Sequence, residues 1–592
     1  MAEFKKIVIT KKGQALMAKM IAGQGNIDFT KVAVSEAAYT DAQLEGLTSL
    51  SGVKQTTLVS KVTRTNGVAI QVEAAMTNTD LKTGYYMKTL GLYAIDPDEG
   101  EILYGVSNAT VPGWMPPYNG LTVSGAFFKL VTTVGNAENV SLNVDPGAVA
   151  TIGDIQELEK EISDLRAFVG YTDDDVFGVE ADFKNRKFTR LAGAVNRTPG
   201  VGFNDIKCFG GRRRCNVTND GTVVAYYGDA AFSTTGKLTT GATVGETTYP
   251  AGTVVQVMVE QPQFYYKVVL LETEKIADGK GFHIRKARYY VSPTAKAGFK
   301  LHPAFIQNGV VNNVIYLAAF EGSLWDASAD AYILDDSQVA DWAADMLSSI
   351  AGAKPLSGST QKAIRANVRA ISAKRGSGWS QAYAATVAAS QMLMLVEYAA
   401  FNVQSAIGMG AVFKKDDAVT NMSEYTGATV SLGTASGAVT NANGIQIVSY
   451  RGEENFWGNI WSWVDGINFR GHDDAEFYIA DHDFVDDTAN GYKATGFTSA
   501  KTGGYVSAFG CDGTDHFDWL FLPSETRGDS SLPVGDQYYA NTSSNDWLGA
   551  TLGGCWRRGS AGGAFNWVTN VSSLVPFLDV GGRLVYVPNT AQ

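Results

Sequence analysis

The hydrophobic pattern divides the chain into segments of different period. Residues 11–22, KKGQALMAKMIA, carry apolar side chains at helical spacing and run into Gly23 and Gly25, which predicts a short helix. Strand-like runs at 57–62, 68–75 and 127–134 complete an α+β unit over residues 1–150. In TIGDIQELEKEISDLRAFVG, Ile155, Leu158, Ile162, Leu165 and Val169 fall 3, 4, 3 and 4 residues apart, the spacing of a coiled-coil seam and a sign of self-association. An amphipathic helix packed on its own chain gives the same pattern over so short a run. From residue 183 the runs FKNRKFTRL, GTVVAYYG, TVVQVMVEQPQFYYKVVLLE and FHIRKARYYV, dense in Val, Tyr and Phe, predict strands. Residues 335–351, 359–373 and 380–407, rich in Ala, Leu, Met and Gln, predict helices that stop at Gly408 and Gly410. Beyond them Gly, Ser, Thr, Asn and aromatics predict an all-β region with long loops, and no fixed-period repeat runs through the chain.

At 592 residues the chain exceeds the roughly 250–300 at which single cores stop growing, so at least two folded units are expected. The net charge of -12 opposes binding to a phosphate backbone. The one basic run, Arg212 to Arg214, reads as a solvated or carboxylate-paired loop beside a strand. The N-terminus lacks a long apolar stretch and the most apolar helical run, 392–396, is cut by Glu397, so neither a secretion signal nor a membrane span is expected. Four cysteines are too few for a disulfide framework, and folding in a reducing cytoplasm is the simpler expectation.

The opening FKKIVITKKGQALMAKMIAGQGNIDFTKVAVSE, followed by YYMKTLGLYAIDPDEGEILYGVSNA, resembles the N-terminal domain of phage tail-collar fibre proteins. The shared features are the helix with Gly13, a turn into a strand at Gly91, Leu92 and Tyr93, and their order. The resemblance implies attachment to a baseplate through residues 1–150. It also implies three chains, whereas Ile at a and Leu at d alone favour two; three is expected because flanking domains overrule so short a seam.

A second resemblance begins near residue 182. RGEENFWGNIWSWVDGINF, with Trp457, Trp461 and Trp463 beside Gly458 and Gly466, joins DWLFLPSE, SLPVGDQYY, GGCWRRGSAGGAFNW and DVGGRLVYVP. Together they resemble the variable proteins diversified by phage and bacterial retroelements, whose C-terminal domain has a C-type-lectin-like fold related to formylglycine-generating enzymes. The resemblance implies that these Trp and Gly residues and the closing strand 582–587 are scaffold, with a diversified ligand surface interspersed through 538–579. Such diversification replaces adenines, and an Asn codon so altered never yields Lys, Glu, Gln, Met or Trp. Lys, Glu, Gln and Met number 81 in the chain, so about seven belong in residues 538–591 on uniform composition, and none is there. Turn-rich β loops, poor in helix formers, give the same depletion. Trp547, Trp556 and Trp567 read as unaltered scaffold. The expected exposed face comprises Arg557, Arg558, Ser560, Ala561, Asn566, Val568, Asn570, Val571, Leu574, Val575, Phe577 and Asp579, with Tyr538, Tyr539, Asn541, Ser543 and Asn545 as a second loop.

Cys511 and Cys555 form no recognisable pair for the chemistry of formylglycine-generating enzymes, and a nucleophile among diversified positions is untenable. The acidic stretch GHDDAEFYIADHDFVDD, from Gly471 to Asp487, lacks the ligand spacing of a known calcium loop, and His283, His302 and His516 stand alone. An enzymatic tailspike needs paired carboxylates in a groove, usually on a repetitive β-helix, which the sequence does not show. The expected fold is mainly β with α+β parts. It has an attachment domain at 1–150, a trimerising coiled coil at 151–170 and a lectin-like receptor-binding domain at 171–592, with a helical insertion at 335–407. The expected function is a virion tail fibre, a homotrimer folded in the host cytoplasm, that binds a cell-surface protein or glycan without catalysis, cofactor, metal, nucleic acid or membrane insertion. An enzymatic tailspike or oxidoreductase is the alternative.

Overall fold

Hydrogen-bonded strands dominate the computed structural model, which describes all residues except 1–2, 23–26, 65–68, 119–123, 134–157, 159–160, 163, 167–169, 173, 359, 416–418, 472, 542–543 and 589–592. The chain divides into two compact units, Met1–Glu159 and Lys160–Gln592. It is mainly β, as the composition suggests.

In the first unit the six-stranded sheet runs Glu3–Phe4, Gly100–Met115, Tyr85–Asp96, Asp28–Ser35, Val53–Leu58, with Val8–Ile9 also on Gly100–Met115. A three-stranded sheet joins Lys61–Arg64, Ala69–Thr77 and Gly125–Thr133. The helix Lys11–Ile21 forms where its period predicts, capped by Thr10, whose hydroxyl oxygen accepts from the Gly13 amide and donates to Leu103 O at 2.6 Å. It buries Leu16 and Met20 with Phe29 and Tyr104. Gly13 permits this approach, since a Cβ there would lie 2.1 Å from Tyr104 O. Gly91, Leu92 and Tyr93 lie within a long strand instead of at a turn, with a register shift between Leu92 and Tyr93.

The boundary between the two units falls within the seam. Leu158, Ile162 and Leu165 are helical and exposed in the single chain, at 57, 43 and 65%. Ile155 and Val169 lie outside the described residues. Asp164 ties this helix to Lys267 at 2.9 Å.

The helical insertion expected over 335–407 is corrected on two counts. Residues 335–351 are turns and a strand, Met346–Ser349, because Asp335 and Asp341 accept backbone amides two residues on and compete with helix formation. The second expected helix starts only at Arg365, the third spans Ala384–Tyr398, and Trp379–Gln381 is a strand. The helix Ala384–Tyr398 lies inside the core, buried along its length from Ala384 to Glu397.

The arginine run is no loop either. Arg213 opens the strand Arg213–Val217 and reaches Glu260 at 2.8 Å, while Arg212 and Arg214 are buried. Arg212 pairs with Glu453, and Arg214 donates to Gly452 O at 2.9 Å and Thr429 O at 3.0 Å. The buried Glu397 accepts from Arg451 at 2.6 and 2.7 Å, Tyr450 at 3.0 Å and the Gly200 amide at 2.8 Å. Removing one partner of such a pair leaves a buried charge without compensation. Arg451→Met should therefore destabilise the second unit by about 3–5 kcal/mol, read by denaturant unfolding; an unchanged midpoint would contradict the pairing.

Candidate ligand-recognition face

Residues 451–459 coil through left-handed positions at Arg451, Asn455 and Asn459 as well as at Gly452 and Gly458. Their polar side chains turn inward. Glu453 takes Arg212 and Ser390, Glu454 accepts the amides of Gly427 and Thr429 at 2.6 and 2.7 Å, and Asn455 and Asn459 both donate to Glu321. The buried Trp457 donates to Gly408 O at 3.1 Å. This loop then carries the face above it. Gly458 donates to Gly553 O, Trp556 to Asn459 O, and Trp461 to Asp579 O.

An eight-stranded sheet carries the loops of the face. Its order is Lys493–Thr498, Glu476–Ile479, Trp461–Arg470, Trp547–Gly553, Gly563–Val571, Gln537–Tyr539, Gly504–Tyr505, with Val580–Gly581 parallel to Trp461–Arg470. Strand alternation sends Leu552, Trp567 and Tyr538 into the main core. The neighbouring positions Trp463, Val568 and Tyr539 enter a second cluster with Trp461, Trp556 and Cys555. Both faces of the sheet are therefore covered.

That double coverage corrects the expected exposed face. Tyr538, Asn541, Ala561, Asn566, Val568 and Asp579 are buried. Tyr538 bonds Ser499 and Thr569, Asn566 donates to Gln537 O, Asn541 closes on Ser544, and Asp579 receives Arg557 at 2.8 Å and the Cys555 thiol at 3.2 Å. Exposed are Asn545, Arg557, Asn570, Leu574 and Val575; half-buried are Tyr539, Arg558, Ser560, Val571 and Phe577. Ser543 lies outside the described residues. Phe577 rests on the second cluster, so its loss acts on packing as well as on the surface.

The Arg558 guanidinium lies 4.7 Å from the Tyr539 ring centroid and 5.7 Å from that of Trp461, a stack of cation on aromatics. Among the described residues no carboxylate pairs with Arg558, and its buried Nε has no hydrogen-bond partner. Ser560 shares a hydrogen bond with Tyr505 at 3.1 Å. On the segment that returns beneath the sheet, Ser573 bonds Asp487 at 2.8 Å and Gly358 donates to Phe577 O, leaving the tip at Leu574 and Val575 outward. Asn545 clasps Asp473 through its side-chain amide and carbonyl.

Two further acidic residues of the stretch are held by cations. Glu476 meets Lys280 at 2.8 Å, and Asp486 meets Arg365 and Arg369, both at 2.6 Å. All four cysteines are buried and free, and burial beside Asp579 pushes the Cys555 thiol up to about 12. His302 sits in the core among Phe264, Tyr266 and Trp519, pushed down to about 3 by burial. No helix among the described residues is long and apolar enough to cross a membrane.

No family model matches the chain, and no curated protein matches it. Among solved structures, the Major Tropism Determinant P3c variant aligns with 63% of this chain and 71% of its own at 12% identity, with a TM-score of 0.21.

Glu321 ties this frame to pH. Burial pushes its carboxyl from 4.5 up to about 8, so the folded protein keeps a proton that the unfolded chain releases at lower pH. Its contribution to stability is therefore full below about pH 4.5 and declines as pH rises to about 8, where it levels off. Glu321→Gln should flatten that decline in thermal unfolding across this window; parallel curves for variant and parent would contradict it.

Proposed function

We propose that the chain is a receptor-binding fibre of a bacteriophage tail, which attaches the virion to a host cell through its C-terminal unit. One observation carries this reading. Arginine, tyrosine and aliphatic side chains (Arg557, Arg558, Tyr539, Leu574, Val575) stand at the surface on a frame whose tryptophans are buried. The stretch that bears them, 538–591, holds no Lys, Glu, Gln or Met. A rigid frame with a small set of arginine and aromatic anchors is the composition of a binding hot spot. The sequence resemblance supports a C-type-lectin-like frame diversified by a retroelement, with the buried members of the expected face serving as frame and the exposed ones as contact. The first unit is read as the attachment domain, and the exposed Leu158, Ile162 and Leu165 as part of a trimer seam. The partners are a cell-surface receptor, the tail and two further copies of the chain.

Catalysis finds little support in this geometry. Cys555 holds its proton and is a poor nucleophile, and Asp486 and Glu476 are engaged in ion pairs. Incubation with host polysaccharide should release no reducing ends; their release would favour the tailspike.

Light scattering coupled to size exclusion should give the mass of a trimer for the full chain, and a monomer would contradict the seam. Arg557→Ala and Arg558→Ala should each weaken binding to host cells by on the order of 1–4 kcal/mol, with the unfolding temperature unchanged for Arg558→Ala and lowered for Arg557→Ala, whose loss leaves the buried Asp579 carboxylate without its cation. Full binding by both variants would contradict the reading of this face.

A further inference from the structure

The segment beginning at Ala411 runs beside the proposed contact residues although it lies far from them in sequence. Gly559 donates to Val412 O at 2.9 Å and Lys414 donates to Trp556 O at 2.7 Å, so the backbone on each side of Phe413 is bonded to the stretch that carries Arg557 and Arg558. Asn459 donates to Ala411 O at 2.8 Å and fixes the start of the segment to the buried loop. Between these bonds the Phe413 side chain is 69% exposed. Its ring borders Gly559, where a Cβ would stand 3.1 Å from the ring edge. An aromatic ring held outward by a fixed backbone costs little to order on binding, which is the property of an anchor.

We infer that Phe413 is a second, fixed lip of the recognition face, and that face and lip together fit a protein surface offering an apolar pocket to Phe413 and a carboxylate to Arg558. The inference rests on the receptor-binding reading above and deepens it. The carboxylate follows from charge. Arg558 lies over two aromatic rings, and among the described residues it has no acidic partner, so an occupant that covers it must bring the anion or leave a buried cation. The apolar pocket follows from Phe413 itself. An exposed phenylalanine against Gly559, which follows Arg558 in the chain, matches the anchors of protein interfaces, where a few such side chains fill pockets on the partner. The lip lies outside 538–579, so it would contribute the same contact whatever residues stand at the variable positions.

The test uses the full chain and intact bacterial cells that it binds. Phe413→Ala should weaken binding at least about tenfold at an unchanged unfolding temperature, as Arg558→Ala does. Proteinase K treatment of the cells should abolish binding, and periodate oxidation of their glycans should leave it intact. Binding by Phe413→Ala equal to the parent, while Arg558→Ala fails, would overturn the lip and leave the receptor-binding reading standing. Full binding by both variants would remove that reading itself. A lowered unfolding temperature for Phe413→Ala would make the ring structural and overturn the lip, and loss of binding only after periodate would overturn the protein partner.

Discussion

Buried charge compensation around residues 451–459 is the constraint on which the second unit depends. This short loop places Arg451, Glu453, Glu454, Asn455 and Asn459 out of solvent: Arg451 and Glu453 bond to the helix Ala384–Tyr398, Glu454 to the segment at Thr429, and Asn455 and Asn459 to Glu321, while the Gly452 carbonyl accepts from Arg214. A buried polar group without a partner costs more than a made bond returns, so such a network tolerates one arrangement of its members. Apolar packing alone would accept many. The loop therefore fixes where the strand Trp461–Arg470 begins, and with it the sheet that carries the face.

That rigidity has a functional consequence. Trp457, Trp463, Trp556 and Trp567 are buried on either side of the sheet, and the exposed residues hang from backbone bonds to this frame without taking part in its packing. The tip at Leu574 and Val575 can then change while the fold stays in place, whereas Arg557 is also tied to the buried Asp579. In the proposed reading the stacked Arg558 and the fixed Phe413 would supply anchors of high contact area and low ordering cost.

The sequence makes some of this visible and hides the rest for physical reasons. The helix Lys11–Ile21 shows because its period and its glycine stop agree. The tryptophans of 457–463 are recognisable as frame. Residues 335–351 mislead because helix propensity is summed over residues whose aspartates prefer to close turns on the backbone. Val568 and Asn566 read as surface because a period of two marks one buried face and carries no sign of a second layer covering the other. Arg212 reads as part of a solvated or carboxylate-paired loop because charged side chains are mostly exposed, and its burial is hidden because its partner Glu453 lies far away in the chain. Phe413 left no signal, being a lone aromatic whose position depends on backbone bonds to Trp556 and Gly559.

The central claim is that frame and contact surface are separable within 538–579. The most direct measurement is a saturation scan of these positions in the full chain, reading protease resistance as folding and host-cell capture as binding for every variant. The account predicts two classes: changes at Tyr538, Asn566, Trp567 and Val568 lose both readouts, while changes at Asn570, Leu574 and Val575 alter capture and leave protease resistance intact. If the two readouts fall together at the same positions across the segment, the surface is not separable from the frame and the account is wrong.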